Sequence, residues 1–345
     1  MDQLSATLDR GWDLAQRGDA HGALACARRA LEMDPQSPEV HNLLGYSAAL
    51  AGDAEEALEH YRQAIALDES YFEAMLNCAE LLMHPLGDWD EAARMCDEAL
   101  DYAETNEEIA DCLLLKVDAL LGKGSGDDAK KVLARLPEGP FESPTYSFMI
   151  GRAYYELGDV DTARPFIEDA ASRDPQYADA HYYLGLVREE AGDVRGAIEA
   201  FLRVRLLDHA RPPAPWAPPP DAFGAMVQRV LSNVDALLAR YVREAEVYVV
   251  DLPGAELVVD GIDPRALVVL ETPPAEGRPG HEAAEPGSVY ARLFVYQRNV
   301  ERAAGSIEYL EDELRHAVER EIAHVFLEAP SVAPMGSVTD KSQLN

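Results

Sequence analysis

The chain has 345 residues, of which 48% are hydrophobic and 27% are charged, a composition typical of folded globular proteins. Its 63 acidic side chains outnumber its 30 basic ones and give a formal net charge of −33. This negative field repels phosphate backbones and anionic lipid, so we expect neither nucleic-acid binding nor membrane-surface binding. The length predicts two domains, each large enough to bury a core of its own.

The N-terminal residues show neither the basic segment nor the apolar segment of a signal peptide. No apolar run approaches the roughly 20 residues that a membrane helix needs. The cysteines, Cys26, Cys78, Cys96 and Cys112, lie far apart and form no C-x-x-C pair. Because this pattern indicates reduced thiols, the sequence predicts a cytoplasmic protein.

One short pattern, G-D-x-x-x-A, recurs along the first 200 residues. It reads GDAHGA (18–23), GDAEEA (52–57), GDWDEA (87–92), GDVDTA (158–163) and GDVRGA (192–197). The spacings are 34, 35, 71 and 34 residues, and the long one leaves room for a degenerate copy, KGSGDDAKKVLARLP, in which we expect an insertion to lengthen the turn before Ala129. The glycine ends one helix, and the small alanine lets the next helix pack closely. A period of this length indicates stacked helical hairpins.

Over residues 1–210 this pattern closely resembles the tetratricopeptide repeat (TPR) family. The small residue that the family has on its first helix is matched by Gly11, Gly45, Gly151 and Gly185. The small residue on its second helix is matched by Ala23, Ala57, Ala92, Ala163 and Ala197. The resemblance implies an all-α solenoid of five to six helical hairpins, with a concave groove that binds a peptide or protein partner.

The resemblance also places particular first-helix residues in the groove. They are Trp12, Asn42, Tyr46, Glu80, Arg152, Tyr155, Tyr182 and Leu186. Aromatic side chains there suit an extended or helical peptide, although each could instead pack against the next repeat. Family members that hold a C-terminal carboxylate use Lys, Asn and Arg at set positions. We expect no such clamp, because those positions carry Leu8, Trp12, Leu43 and Glu73.

Beyond the repeats, ARPPAPWAPPP (210–220) contains six prolines and predicts a semi-rigid extended linker over residues 211–220. The pattern then changes to a small α+β domain, residues 221–328, in the order helix, strand, strand, loop, strand, helix. Its first helix is an amphipathic segment that carries Phe223, Val234 and Leu237, and its strands read as buried. Residues 329–345 are predicted to be a flexible tail.

The end of this domain resembles a family of minimal bacterial zincin-like metallopeptidases, over residues 221–328. A turn that follows a strand in that family is matched by Tyr296, Asn299 and Glu301. The helix that carries the family's H-E-x-x-H motif is matched by Glu321, Ile322, His324 and Phe326. The resemblance implies that the C-terminal part is a zincin-like domain.

In the H-E-x-x-H motif two histidines one turn apart bind zinc, and the glutamate is the general base. In this chain Arg320 stands at the first ligand position, and a guanidinium has no lone pair for a metal. His316 cannot share a metal with His324, because eight residues span about 12 Å of helix. We therefore expect Glu321 to be a vestigial general base, His324 a vestigial ligand, and the protein to need no cofactor.

The sequence thus predicts an acidic, bacterial-type adaptor without catalytic activity: a TPR solenoid for a protein partner, followed by a pseudoenzyme domain of the metallopeptidase type. The alternative is a zinc-dependent metallopeptidase with an altered metal site, in which His281 or Glu328 supplies a ligand and the solenoid recruits substrate. In a third hypothesis the solenoid serves homo-oligomerisation.

Overall fold

The computed structural model describes residues 3–137, 139, 141–243, 245–271 and 291–326. The chain divides into two compact units, Met1–Asp193 and Val194–Asn345. Among the helices in the described ranges, none is long and apolar enough to cross a membrane.

The first unit consists of helical hairpins. Its helices are α1 (Gln3–Gln16), α2 (Ala20–Met33), α3 (Pro38–Leu50), α4 (Ala54–Leu67), α5 (Phe72–Met83), α6 (Trp89–Leu100), α7 (Asn106–Gly122), α8 (Gly126–Leu133), α9 (Pro144–Glu156), α10 (Val160–Arg173) and α11 (Ala178–Glu190). From α1 to α10, each odd-numbered helix packs against the even-numbered helix that follows it, and successive hairpins contact each other. This arrangement, in which each repeat packs on its neighbours, is that of an α-solenoid.

The G-D dipeptide of the repeat builds the turn between two helices. The glycines with positive φ, between 70° and 86°, include Gly18, Gly52, Gly87, Gly124, Gly158 and Gly192. The aspartates that accept a hydrogen bond from the backbone N–H three residues on are Asp19, Asp53, Asp88 and Asp159. The glycine therefore supplies a left-handed backbone and the aspartate an N-cap, which contributes about 1 kcal/mol.

The degenerate copy corrects one expectation. Gly124 takes the positive φ, and Ala129 follows it by the same interval as in the regular copies. The predicted insertion in this turn is therefore wrong. The additional residues extend α7, which has 17 residues. Ser125 replaces the capping aspartate and makes no side-chain cap, and α8 is only 8 residues long.

Small residues set the distance between the helices of a hairpin. The alanines of the repeat are buried, with Ala57 0% exposed. A Cβ atom on Gly45 would lie 2.7 Å from the ring of Tyr61, on the second helix of the same hairpin. The sequence prediction that these positions must stay small therefore has a steric basis.

The second unit combines helices with a small sheet. Its elements are α12 (Val194–Ala210), α13 (Pro220–Asn233), α14 (Ala236–Val242), β1 (Glu246–Val250), α15 (Ala255–Val259), β2 (Val268–Glu271), β3 (Arg292–Tyr296), α16 (Gln297–Ala304) and α17 (Ile307–Phe326). The strand order is β1-β3-β2, with β3 parallel to β1 and antiparallel to β2. Its hydrophobic core joins α13, the sheet and α17.

Two expectations for this unit are wrong. The predicted single amphipathic helix is broken, because Val234 leaves the helical region (ψ 145°) and Asp235 caps α14 through the Leu237 backbone N–H. The cap places Leu237 in solvent at 68% exposure. Strand β1 is not buried on both faces, since Tyr248 and Val250 are 42% and 41% exposed at an edge of the sheet.

The proline-rich segment, predicted to be a semi-rigid extended linker, packs against the second unit. The Gln297 side chain donates to the Pro218 carbonyl at 2.9 Å, and Trp216 packs against the hydrophobic core. Helix α12 belongs to this unit, because the buried Asp208 pairs with Arg302 and Arg265 at 2.6 and 3.1 Å. The division after Asp193 thus precedes the boundary that the sequence predicted after residue 210.

Several sequence expectations lie outside the described residues. They concern the loop 273–288 with His281, the possible ligand Glu328, and the tail 329–345.

Candidate functional site

The first unit contains a groove of about 810 Å³. Four first helices of consecutive repeats, α3, α5, α7 and α9, line it, because equivalent positions of a 34-residue repeat recur on the same side of a solenoid. Tyr46, Glu80 and Arg152, three of the predicted groove residues, lie on its wall. These three residues, which the sequence placed at the same repeat position, therefore line one groove in the structure.

The other predicted residues lie elsewhere. Trp12 contacts Tyr46 edge-to-face, with ring centroids 5.4 Å apart. Asn42 is 2% exposed and interacts with Tyr71 and Asn77, so it is part of the packing between repeats. Tyr155 and Tyr182 each pack edge-to-face on Tyr183, and Leu186 is half-buried.

Sequence reasoning missed several residues of the groove wall. Asp118 lies 34 residues before Arg152 and occupies the same position in the degenerate repeat, so a strict register would have identified it. Trp89 begins the second helix α6, where the family pattern places no groove residue, and packs edge-to-face on His84 at 5.2 Å. Only the three-dimensional structure shows that Trp89 lines the groove.

Arg152 is neutralised within the groove. Its Nη2 donates to both oxygens of Asp118 at 3.1 and 3.2 Å, and its Nε lies 3.5 Å from Glu156. Glu156 also accepts a hydrogen bond from the Tyr183 hydroxyl at 3.0 Å. Burial lowers the pKa of Arg152, but the two carboxylates outweigh burial and raise it overall. This cation is therefore held by the protein's own acids.

Glu80 has a different environment. Its side chain is open to solvent along the groove, and no side chain within the described ranges forms a hydrogen bond or an ion pair with its carboxylate. The surrounding wall raises the pKa of Glu80 by desolvation, and the nearby Asp111 carboxylate raises it further. The groove thus offers one carboxylate whose charge is not compensated by the described residues.

The second predicted site lies on α17. The Oε1 atom of Glu321 accepts a hydrogen bond from the backbone N–H of Leu270 at 2.9 Å, in β2, the outer strand of the sheet that the described residues form. Arg320 and His324 are exposed. Within the part of the chain that the structure describes, no group of three His, Cys, Asp or Glu side chains has the arrangement of a metal site.

Of the residues matched to the metallopeptidase turn, Asn299 and Glu301 form side-chain hydrogen bonds. The three matched residues lie at the end of β3 and in α16, so the predicted turn is a helix of 8 residues. The Asn299 amide donates to the carbonyls of Pro264 and Ala266 at 3.0 and 2.7 Å. Glu301 accepts a hydrogen bond from Gln297 at 2.7 Å. Asn299 thus ties α16 to the loop before β2, whereas the Gln297–Glu301 hydrogen bond lies within α16.

Comparison with protein families supports the repeats. One tetratricopeptide repeat model matches residues 8–72 and 148–215, and a second matches residues 48–110. The probable biofilm formation methyltransferase WspC of Pseudomonas putida is 36% identical over 94 residues, which are 27% of this chain and 22% of that protein. The peroxisomal targeting signal receptor of Kluyveromyces lactis is 38% identical over 79 residues, 23% of this chain and 14% of the receptor. The chain therefore spans less than a quarter of either relative.

Solved structures show the same fold. The type IV pilus biogenesis factor PilW has a TM-score of 0.51 at 18% identity, covering 60% of this chain and 94% of its own. The structure of pilF from Pseudomonas aeruginosa has a TM-score of 0.50 at 21% identity, covering 60% of this chain and 93% of its own. The N-terminal region of this chain contains tetratricopeptide repeats.

Proposed function

We propose that this protein is a non-catalytic adaptor whose groove binds an extended or helical peptide of a partner protein. The observation that carries the proposal is the continuous groove of about 810 Å³, lined by aromatic, aliphatic and charged side chains from four repeats. Such a mixture suits peptide recognition, since aromatic anchors supply contact area and polar groups fix the register. Proteins with these repeats mediate protein–protein interactions, and a targeting-signal receptor is among the relatives.

We further propose that the second unit is a zincin-like domain without a working metal site and serves as a second binding module. The donor set does not fit a catalytic zinc, because Arg320 has no lone pair and Glu321 is hydrogen-bonded to Leu270. The free thiols support a reducing compartment such as the cytoplasm. The alternative, a zinc peptidase with an altered metal site, would need ligands from outside the described ranges.

The adaptor proposal is tested by binding. The purified full chain is used to select peptides from a random display library, and the selected peptides are synthesised and titrated by fluorescence polarisation. Tyr46→Ala removes an aromatic side chain of the groove, and Tyr102→Ala is its matched control because Tyr102 is exposed at 41% outside the groove. We expect an affinity loss of about 10-fold or more for Tyr46→Ala alone, with circular dichroism unchanged. Equal effects of both variants would contradict the groove as the binding site.

The proposal for the second unit is tested by metal content. Mass spectrometry of the purified full chain is expected to find substoichiometric zinc, and chelation is expected to change neither stability nor binding. About one zinc per chain that survives dialysis would refute this proposal and favour the peptidase alternative.

A further inference from the structure

The lining of the groove carries more negative than positive charge. Among the described residues, its lining includes the carboxylates of Glu80, Asp118 and Glu156, one permanently cationic side chain, Arg152, and the imidazole of His84. Asp118 and Glu156 both pair with that one guanidinium. Because two carboxylates face a single positive charge, their pairing leaves a net negative charge. The strongly acidic composition of the chain, with a net charge of −33, adds to the same field. A partner segment therefore gains affinity if it brings a positive charge.

Glu80 is the carboxylate with which such a charge would pair. It lies on α5, at the same repeat position as Tyr46 on α3, and both residues line the groove. The other acidic residues of the lining have partners within the protein, whereas Glu80 has none in the described part of the chain. Its ionised form is disfavoured by the wall and by Asp111, as the raised pKa shows. A cation bound beside it would relieve that cost.

Aromatic rings lie in the same cavity. Tyr46, Tyr61 and Trp89 line the groove together with Glu80. A lysine or arginine side chain is amphipathic, so its methylene stem can cover aromatic surface while its head meets a carboxylate. Rings near the head add a cation–π contribution. The lining thus provides both an apolar surface and a negative acceptor.

We propose that the groove recognises a lysine or arginine side chain of its partner, held by the Glu80 carboxylate against the aromatic wall. The inference rests on the proposed peptide-binding function and specifies its ligand chemistry. It makes Glu80 a determinant of specificity, and it excludes acidic peptides as ligands because they would meet uncompensated like charge.

The experiment uses the display selection of the full chain described above. We expect the selected peptides to be enriched in Lys or Arg. The best peptide is then resynthesised with citrulline in place of arginine, or norleucine in place of lysine, so that shape is largely kept and charge is lost. Both peptides are titrated against the wild type, Glu80→Gln, and the control Glu69→Gln, an exposed loop residue that does not line the groove.

For Glu80→Gln we expect about 10-fold weaker binding of the charged peptide and little change for the neutral one, so that the two changes are not additive. Glu69→Gln is expected to bind like the wild type. Glu80→Gln should also unfold at no lower urea concentration than the wild type at neutral pH. The folded state raises the pKa of Glu80, so its ionisation above that pKa opposes folding, and glutamine removes this effect.

The outcomes separate the two proposals. Peptides that lose binding with Tyr46→Ala but lack a basic residue, or bind Glu80→Gln as tightly as the wild type, would overturn the basic-ligand inference while the adaptor function stands. If the library yields no peptide that depends on the groove, both proposals fail.

Discussion

The role of Glu321 can be decided by its contribution to stability. In the structure this carboxylate accepts a hydrogen bond from the Leu270 N–H at 2.9 Å, in β2, which pairs with β3 among the described strands. Replacing Glu321 with alanine leaves that N–H without its acceptor. We therefore predict that Glu321→Ala destabilises the second unit, whereas a residue kept only for catalysis would not.

The magnitude follows from the type of bond. A hydrogen bond to a charged acceptor contributes about 1.5–3 kcal/mol, and the partly exposed position of Glu321 favours the lower half of this range. We expect a loss of about 2 kcal/mol for Glu321→Ala. Glutamine can still accept the hydrogen bond but lacks the charge, so Glu321→Gln should lose only about 1 kcal/mol.

Two measurements check this prediction. Urea unfolding of the full chain gives the change in free energy, and amide hydrogen exchange gives the protection of Leu270 itself. A loss of about 2 kcal/mol corresponds to roughly 30-fold faster exchange of that amide. The control is Glu319→Ala, the same substitution two residues away on α17, which removes any effect of helix propensity. Equal stability and equal Leu270 protection in the two alanine variants would refute the reasoning.

Three further predictions concern packing, charge and reactivity. Gly45→Ala should lower the free energy of unfolding in urea by about 1–2 kcal/mol, because the new Cβ would lie 2.7 Å from the Tyr61 ring. The control is Gly224→Ala, where a Cβ would meet no described atom within 4 Å; it should raise the free energy of unfolding by up to about 1 kcal/mol. Asp208→Ala should cost about 3 kcal/mol in thermal unfolding, because it removes the buried carboxylate that pairs with Arg265 and Arg302. A loss no larger than that of an exposed aspartate would contradict the buried ion pair. In native alkylation followed by mass spectrometry, Cys26 should react first, because burial raises the pKa of the other thiols to about 11 or 12: Cys78, Cys96 and Cys112.

The sequence predicted the hairpin turns correctly, because the same short turn pattern recurs in successive repeats. A positive-φ glycine precedes an N-capping aspartate at Gly18, Gly52, Gly87 and Gly158, so the positions of these hairpin turns follow directly from the repeat pattern. The prediction of one long helix after the linker failed, because an apolar periodicity and a helix cap occur in the same segment. Val234 and Leu237 fit the apolar face of one long helix, yet the Asp235 cap begins a new helix and exposes Leu237.

The candidate site was only partly predictable. The register identified Tyr46, Glu80 and Arg152, because one repeat position always faces the same side of a solenoid. It could not show that Arg152 is also paired with Asp118, because Asp118 lies 34 residues away on α7, whereas Glu156 is four residues from Arg152 on the same helix. Nor could it show that Glu80 lacks a partner among the described residues.

By itself, the sequence determined the repeat, its turns and the small residues that allow close packing, because these depend on backbone geometry and on neighbours within one hairpin. Only the tertiary structure decided which charges in the groove are compensated and that Glu321 accepts a hydrogen bond from β2. Those facts depend on side chains that lie far apart in the chain and meet only in the folded protein, where distance and burial decide whether a carboxylate pairs, supports a strand or stays available for a ligand.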